Sequence, residues 1–234
     1  VAITRNFTSG APPVIDRVAS SAPTVLVTFG VALGDLIVVP IVFEDGAITV
    51  TSVTDTAGNT YVQAGAYARD ANSPSTSCAF YCASAKASSA STNTITVHLS
   101  SSTTVGAAVQ SVTSPNVTWA LDKTTGTSGT SGGISSGSVT TTSANEYVVA
   151  SAYGDGASTQ ASGAITPQYT HTPLGGLSFE ATGDAILTST GSIAGTFTYG
   201  GGNFSAFIAT FAATASASGP FAAPKDPVLF STPF

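Results

Sequence analysis

No segment of this 234-residue chain sustains the three-and-four apolar spacing of a helix, and its apolar runs stop at strand length. The longest is Leu36-Ile-Val-Val-Pro-Ile-Val-Phe43. It is apolar on both alternating faces, which predicts a strand packed from both sides. Pro40 lacks a ladder donor, so a bulge or bend is expected there. Further strand patterns cover residues 24–29, 48–54, 60–67, 77–86, 94–99 and 105–112, separated by Gly, Ser, Asn and Asp. The fold predicted from this pattern is all-β, a two-sheet antiparallel β-sandwich of jelly-roll-like form.

After a Ser/Thr/Gly-rich segment, 122–143, the pattern begins again. That segment reads as a long loop or linker holding one short strand at 138–142. Residues 34–46 are echoed by residues 144–156, 110 positions on, each copy ending in an aromatic, a variable residue and Asp-Gly. Residues 105–112 are matched by 204–211, and 94–99 by 192–197. The expectation is an internal duplication of two half-motifs, 23–121 and 144–212, sharing one core within a sandwich domain at 23–212. Half a sheet cannot bury its own apolar face, which is the reason for expecting one core. Residues 1–22, with Pro12 and Pro13, read as an N-terminal arm. Residues 213–234, with Phe221, Phe230, Phe234 and four prolines, read as a C-terminal assembly arm that anchors in a neighbouring subunit.

Charged residues make up 8% of the chain, where a globular domain carries about 25%. Polarity comes instead from Ser, Thr, Gly and Asn. The net charge is -6, and the six basic residues are scattered, so a phosphate-tracking groove for nucleic acid has no electrostatic basis. No apolar run approaches the length of a membrane span, and no cofactor motif is present. Cys78 and Cys82 fall on one face of a predicted strand, with Cα atoms about 13 Å apart. A disulfide needs less than about 7 Å, so two free, buried thiols are expected.

Candidate chemistry is sparse. His98 and His171 are the only histidines, and neither adjoins a nucleophile motif. Paired carboxylates could serve acid–base work on a glycoside, with Glu44, Asp45 and Asp155, or Glu180 and Asp184, as the candidates. Acids followed by Gly46 read first as a turn, and Glu44, Asp45 and Asp155 are kept as a candidate ligand loop. No calcium-loop spacing occurs, so no metal is expected. Trp119 reads as core. Asp55, Gly58 and Asn59 read as a structural turn, a hairpin fixing the register of 48–54 against 60–67.

The order of motifs carries one resemblance. Gly34-Asp35-Leu36-Ile37-Val38-Val39, the 53–61 turn, Ala79-Phe80-Tyr81, residues 93–97, residues 143–149 and Ser205-Ala-Phe-Ile-Ala-Thr-Phe211 resemble a loosely defined set of β-sandwich proteins. That set is found among bacteriophage structural proteins and bacterial surface or secreted proteins. The resemblance spans about residues 24–213 and implies a fold, with no catalytic residues to carry over. The expected function is a non-enzymatic structural subunit of a virus particle: a tailed-phage decoration, fibre or tail-associated protein. Its partners would be copies of itself and other virion proteins, and its location the outer surface of the virion or the extracellular space. The alternative is a secreted or cell-surface binding module for carbohydrate.

Overall fold

The structure is a computed structural model and describes residues 1–69, 75–130, 133–154, 158–162, 165–171, 179–199 and 201–216. In the first half the strands are β1 (Thr4–Arg5), β2 (Val14–Ser20), β3 (Thr24–Val27), β4 (Leu36–Phe43), β5 (Val50–Asp55), β6 (Val62–Gln63), β7 (Ala68–Arg69), β8 (Thr76–Cys82), β9 (Asn93–Leu99), β10 (Thr103–Ala108) and β11 (Gln110–Thr113). In the second half they are β12 (Val117–Thr130), β13 (Gly133–Thr140), β14 (Glu146–Gly154), β15 (Ser158–Ser162), β16 (Thr166–His171), β17 (Phe179–Leu187), β18 (Ser192–Tyr199) and β19 (Asn203–Ala215). All pairings among the described residues are antiparallel.

The two halves repeat one topology. In the first, β2 pairs β10, β10 and β11 pair β4, β4 pairs β8, and β8 pairs β6 and β7, while β3-β9-β5 form a second sheet. In the second, β12-β19-β14-β17-β16 form one sheet and β13-β18-β15 the other. Strand for strand, the orders coincide: first, last, third, sixth and fifth in the larger sheet, second, seventh and fourth in the smaller. This is a jelly-roll order with one strand moved to the larger sheet.

The duplication therefore operates at a larger scale than the sequence suggested. Each half closes its own sandwich, with its own core. Val25, Val27, Ile37, Val39, Ile41, Phe80, Ile95 and Val97 fill the first. Ile134, Val148, Ala150, Ile193, Phe197, Phe204 and Ile208 fill the second. The larger sheets then pack against each other through a third apolar layer, containing Leu36, Val38, Ala79, Trp119, Tyr147, Val149, Phe207 and Phe211. The expectation of one shared core is corrected: the layers are small sheet, large sheet, large sheet, small sheet. This explains why β4 and β14 are buried along their whole lengths. Alternate residues of each face different cores. It also exposes a slip in the 110-residue echo, because Ile37 faces its own core while Tyr147 faces the middle layer. A one-residue offset moves a side chain to the opposite face of a sheet.

Three other expectations change. Residues 1–22 are not a free arm, since β1 pairs β11 and β2 pairs β10 as a sheet edge. Residues 122–143 are not a loop: β12 pairs β19 from Val117↔Ala215 to Thr130↔Asn203, and β13 pairs β18. An edge strand lying against apolar β19 is held by backbone hydrogen bonds, so it needs little apolar content of its own. Pro40 produces no bulge, because β4 keeps register with β8 from Ile37↔Cys82 to Phe43↔Thr76. The ladder on its other side lapses instead, between Ala107↔Ile41 and Gln110↔Val38, and the Val109 N–H donates to Pro13 O at 2.8 Å. Cys78 and Cys82 are free and buried, facing the first core. Residues 213–215 continue β19. Phe221, Phe230 and Phe234 lie outside the described residues, as does Asp155.

Candidate functional site

Glu44 and Asp45 follow β4 directly, where the chain turns away from the sheet. The Asp45 carboxylate accepts from Ala47 N at 2.6 Å and Ile48 N at 3.3 Å, closing an Asx turn. Arg69 donates to the carbonyls of Gly46 and Ile48 and stacks 4.5 Å over the Tyr67 ring. The Glu44 carbonyl accepts from Thr103 Oγ1 and the Asp45 carbonyl from Thr76 Oγ1, each at 2.9 Å. The turn is thus fastened from three sides. Glu44 itself leaves the turn and enters the contact between the two sandwiches. Its Oε1 accepts from Arg17 Nη2, and from Tyr153 OH at 2.8 Å.

That contact holds most of the structure's buried ionic chemistry. Glu180 and Asp184 lie on one face of β17, four residues apart, and both are fully buried. Asp184 is satisfied on all sides: Arg5 donates twice, at 2.7 and 2.8 Å, and Tyr147 OH and Gln168 Nε2 each donate at 2.7 Å. Burial, with the Asp184 charge adding to it, raises the Tyr147 phenol well above its ordinary range. The Arg5 guanidinium is raised by its hydrogen bonds to Asp184, against its own burial. Gln168 extends the clasp, its Oε1 accepting from Gly10 N at 2.8 Å. Glu180 is the opposite case. Neither of its oxygens has a hydrogen-bond partner among the described residues. Arg17 Nη1 stands 3.9 Å from its Oε1. Burial pushes its carboxyl up to about 8, Arg17 pulling it down and Glu44 and Asp16 adding to the rise.

As a glycosidase pair these acids fail on geometry. Four residues along one strand separate Glu180 from Asp184 by about 13 Å, where such pairs need about 5–9.5 Å. Glu180 and Asp184 are also shut away from solvent, so no substrate reaches them.

The Asp55 turn is structural, but it is not a hairpin. β5 pairs β9 in the small sheet, and β6 pairs β8 in the large one, so residues 56–61 carry the chain between layers. The Asp55 carboxylate organises this crossing. It accepts from Asn59 N at 2.8 Å, Asn59 Nδ2 at 2.6 Å, Tyr61 OH at 2.9 Å and Asn93 Nδ2 at 3.0 Å. Burial opposes its charge, yet the bonds from Asn93, Asn59 and Tyr61 prevail and hold it below its ordinary range. Gly58 takes φ +74°, and Asn59 Oδ1 accepts from Lys86 N at 2.7 Å. Beside the turn lies a shallow cleft of about 250 Å³, lined by Gly58, Asn59, Thr60, Cys82 and Lys86 among others. Burial raises the Cys82 thiol, so it is no ready nucleophile there.

Of the histidines, His98 bonds Thr54 Oγ1 through Nε2 at 2.9 Å on the outer face of the small sheet. Trp119 is buried in the middle layer, as expected. Sequence reasoning found Glu180 and Asp184 but missed their partners Arg5, Arg17, Tyr147 and Gln168. The one signal was scarcity. Two of only six basic residues fall within the first 17 positions, and sequence order does not say which acids they meet.

Fold and site together define a pair of jelly-roll sandwiches joined through their large sheets by an apolar layer with ionic clasps. Comparison with known protein families, with characterised proteins and with solved structures finds no significant match.

Proposed function

We propose that the chain is a non-enzymatic structural subunit of a virus particle, a tailed-phage decoration, fibre or tail-associated protein. The observation that carries this reading is where the charge goes. A chain with few ionisable groups directs many of them inward: Asp35, Glu146, Glu180 and Asp184 are buried, and Arg5, Arg17 and Arg69 bind internal acids or carbonyls. Among the described residues the exterior is rich in hydroxyls and poor in charge, and Leu26, Leu33 and Val62 are exposed on it. Such a surface suits close, permanent contact with neighbouring subunits better than life as a free monomer. The small outer sheets end in edge strands β3, β5, β13 and β15, which supply backbone groups for β-edge pairing. The Phe-bearing C-terminal segment is the proposed anchor.

Size-exclusion chromatography with light scattering tests the reading on the full chain and on a chain ending at residue 218. The full chain is expected to be multimeric. The shortened one should be monomeric, with its melting temperature nearly unchanged. A monomeric full chain, or a large loss of monomer stability on shortening, sinks the anchor. Capsid, portal or tail genes beside the coding sequence would support the class, and polysaccharide-degradation genes would overturn it.

The second reading, a secreted or cell-surface module for carbohydrate, is favoured by one surface. Cross-strand rows Thr24–Thr96–Thr54 and Leu26–Thr94 tile the outer face of β3-β9-β5, with Thr56 continuing the second row through its N–H to Thr94 O. It is rich in hydroxyls, with Leu26 exposed among them. Specific binding on a glycan array, lost in Thr96→Val, would favour it.

A further inference from the structure

Three departures from ordinary strand chemistry meet at one point of the contact between the sandwiches. First, β2 bulges there: Val105 pairs Val18 and Ala107 pairs Ile15, so Asp16 and Arg17 together oppose Gly106. Arg17 is left-handed at φ 44°, an uncommon conformation for a residue with a Cβ. Such a bulge re-aims a side chain, and here it brings Arg17 to Glu44 and Glu180. Second, Gly106 sits in a strand interior, where glycine weakens the strand. A Cβ on it would lie 1.8 Å from Glu180 Oε2, so the missing side chain is the space the carboxyl occupies. Third, the Glu180 carboxyl is fully buried with neither oxygen hydrogen-bonded. Rule-breaking of this kind concentrates where a protein does something beyond folding.

We infer that Glu180 is a pH-sensitive latch between the two jelly rolls, closed when protonated and released when ionised. The groups around it set the sense of the switch. From β2 it faces Asp16 and Arg17, from the end of β4 Glu44, and from β14 Tyr153. On β16, His171 is its cross-strand partner in register. β10 presents the Gly106 backbone to it. One guanidinium therefore meets two carboxyls, and Glu44 already holds it. A protonated Glu180 leaves the guanidinium to Glu44, with Asp16 exposed beside it. An ionised Glu180 puts a negative charge without hydrogen-bond partners into a fully buried position, and parting of the sheets hydrates it.

Asp184, four residues along the same strand, behaves differently. Its four hydrogen bonds satisfy both oxygens, so that end of the contact stays clasped. The latch opens one end and leaves the other clasped. The sign follows from the raised carboxyl, held up to about 8 in the folded chain against an ordinary 4.5. The folded state keeps a proton that the unfolded state releases. Stability from this group is complete below about 4.5 and is lost as pH rises to about 8. The latch does not depend on the viral reading.

The experiment uses the full wild-type chain and Glu180→Gln. The side-chain carboxyl carbon of Glu180, followed by NMR in the wild type, should titrate with a midpoint near 8. A midpoint in the ordinary range of about 4–5 overturns the latch. The thermal midpoint of the wild type should fall between pH 5 and 9 relative to that of Glu180→Gln, and parallel curves overturn it. Hydrogen exchange on the wild type, corrected for its intrinsic pH dependence, covers the case in which the variant does not fold. Protection should drop above pH 8 at Val105–Ala107 and hold at Ser111 and Ile186. Uniform loss, or none, overturns the latch.

Discussion

At the residue scale, the most informative side chain is Asp55, because its position was legible and its role was not. Asp, Gly and Asn within five residues predict a turn by backbone chemistry alone. The partners that define the turn's function, Asn93 and Tyr61, are set by how the small sheet lies on the large one. Asp55→Ala removes four hydrogen bonds to a carboxylate that is only partly exposed, and should cost about 1–3 kcal/mol in chemical denaturation. The contribution has a pH sense. A carboxyl held below its ordinary range stabilises fully above about 4, and loses that contribution as pH falls through its lowered value. The gap between wild type and Asp55→Ala should therefore narrow below pH 4. A gap unchanged down to pH 2 would mean the charge of Asp55 does not matter.

At the scale of elements, hydrophobic pattern located the central strands well, since β4 and β14 carry apolar residues on both faces. It failed on β12 and β2. Both are edges, held by backbone pairing to an apolar neighbour, and a strand held that way can be built from Thr, Ser and Gly without betraying itself. Gly126 of β12 has a further reason to be small. A Cβ there would lie 2.7 Å from the Ala68 Cβ on β7, across the contact between the halves. Gly126→Val should cost about 1–3 kcal/mol through overpacking, measurable as a lower urea midpoint with an unchanged slope. A neutral result would show that β7 yields easily. The one-residue slip in the 34–46 and 144–156 echo belongs to this scale too. Matching letters found the repeat, while the faces obey a different register.

For the whole molecule, the decisive feature is the middle layer. Phe211 is fully buried there, 5.0 Å from the Tyr81 ring across the contact. Ser77 Oγ donates to Ser205 O at 3.1 Å in the same layer. Phe211→Ala should cost about 3–5 kcal/mol, and calorimetry should show one transition becoming two as the halves uncouple. A loss below about 1 kcal/mol with a single transition would mean the halves do not rely on this layer. The outer small sheets are expected to tolerate substitution far better, because only one of their faces is packed.

Strand period and turn chemistry were enough to determine an all-β antiparallel sandwich, its buried thiols and its buried Trp119. These are local properties: each follows from residues within a few positions of one another. Tertiary structure alone decided that the repeat is two complete sandwiches, that β1 and β2 form a sheet edge, and that Arg5 answers Asp184 while Arg17 answers Glu44 beside Glu180. Those outcomes turn on which faces meet. Contact between residues more than 160 positions apart is chosen by the packing of whole sheets, and no short stretch of sequence carries that information.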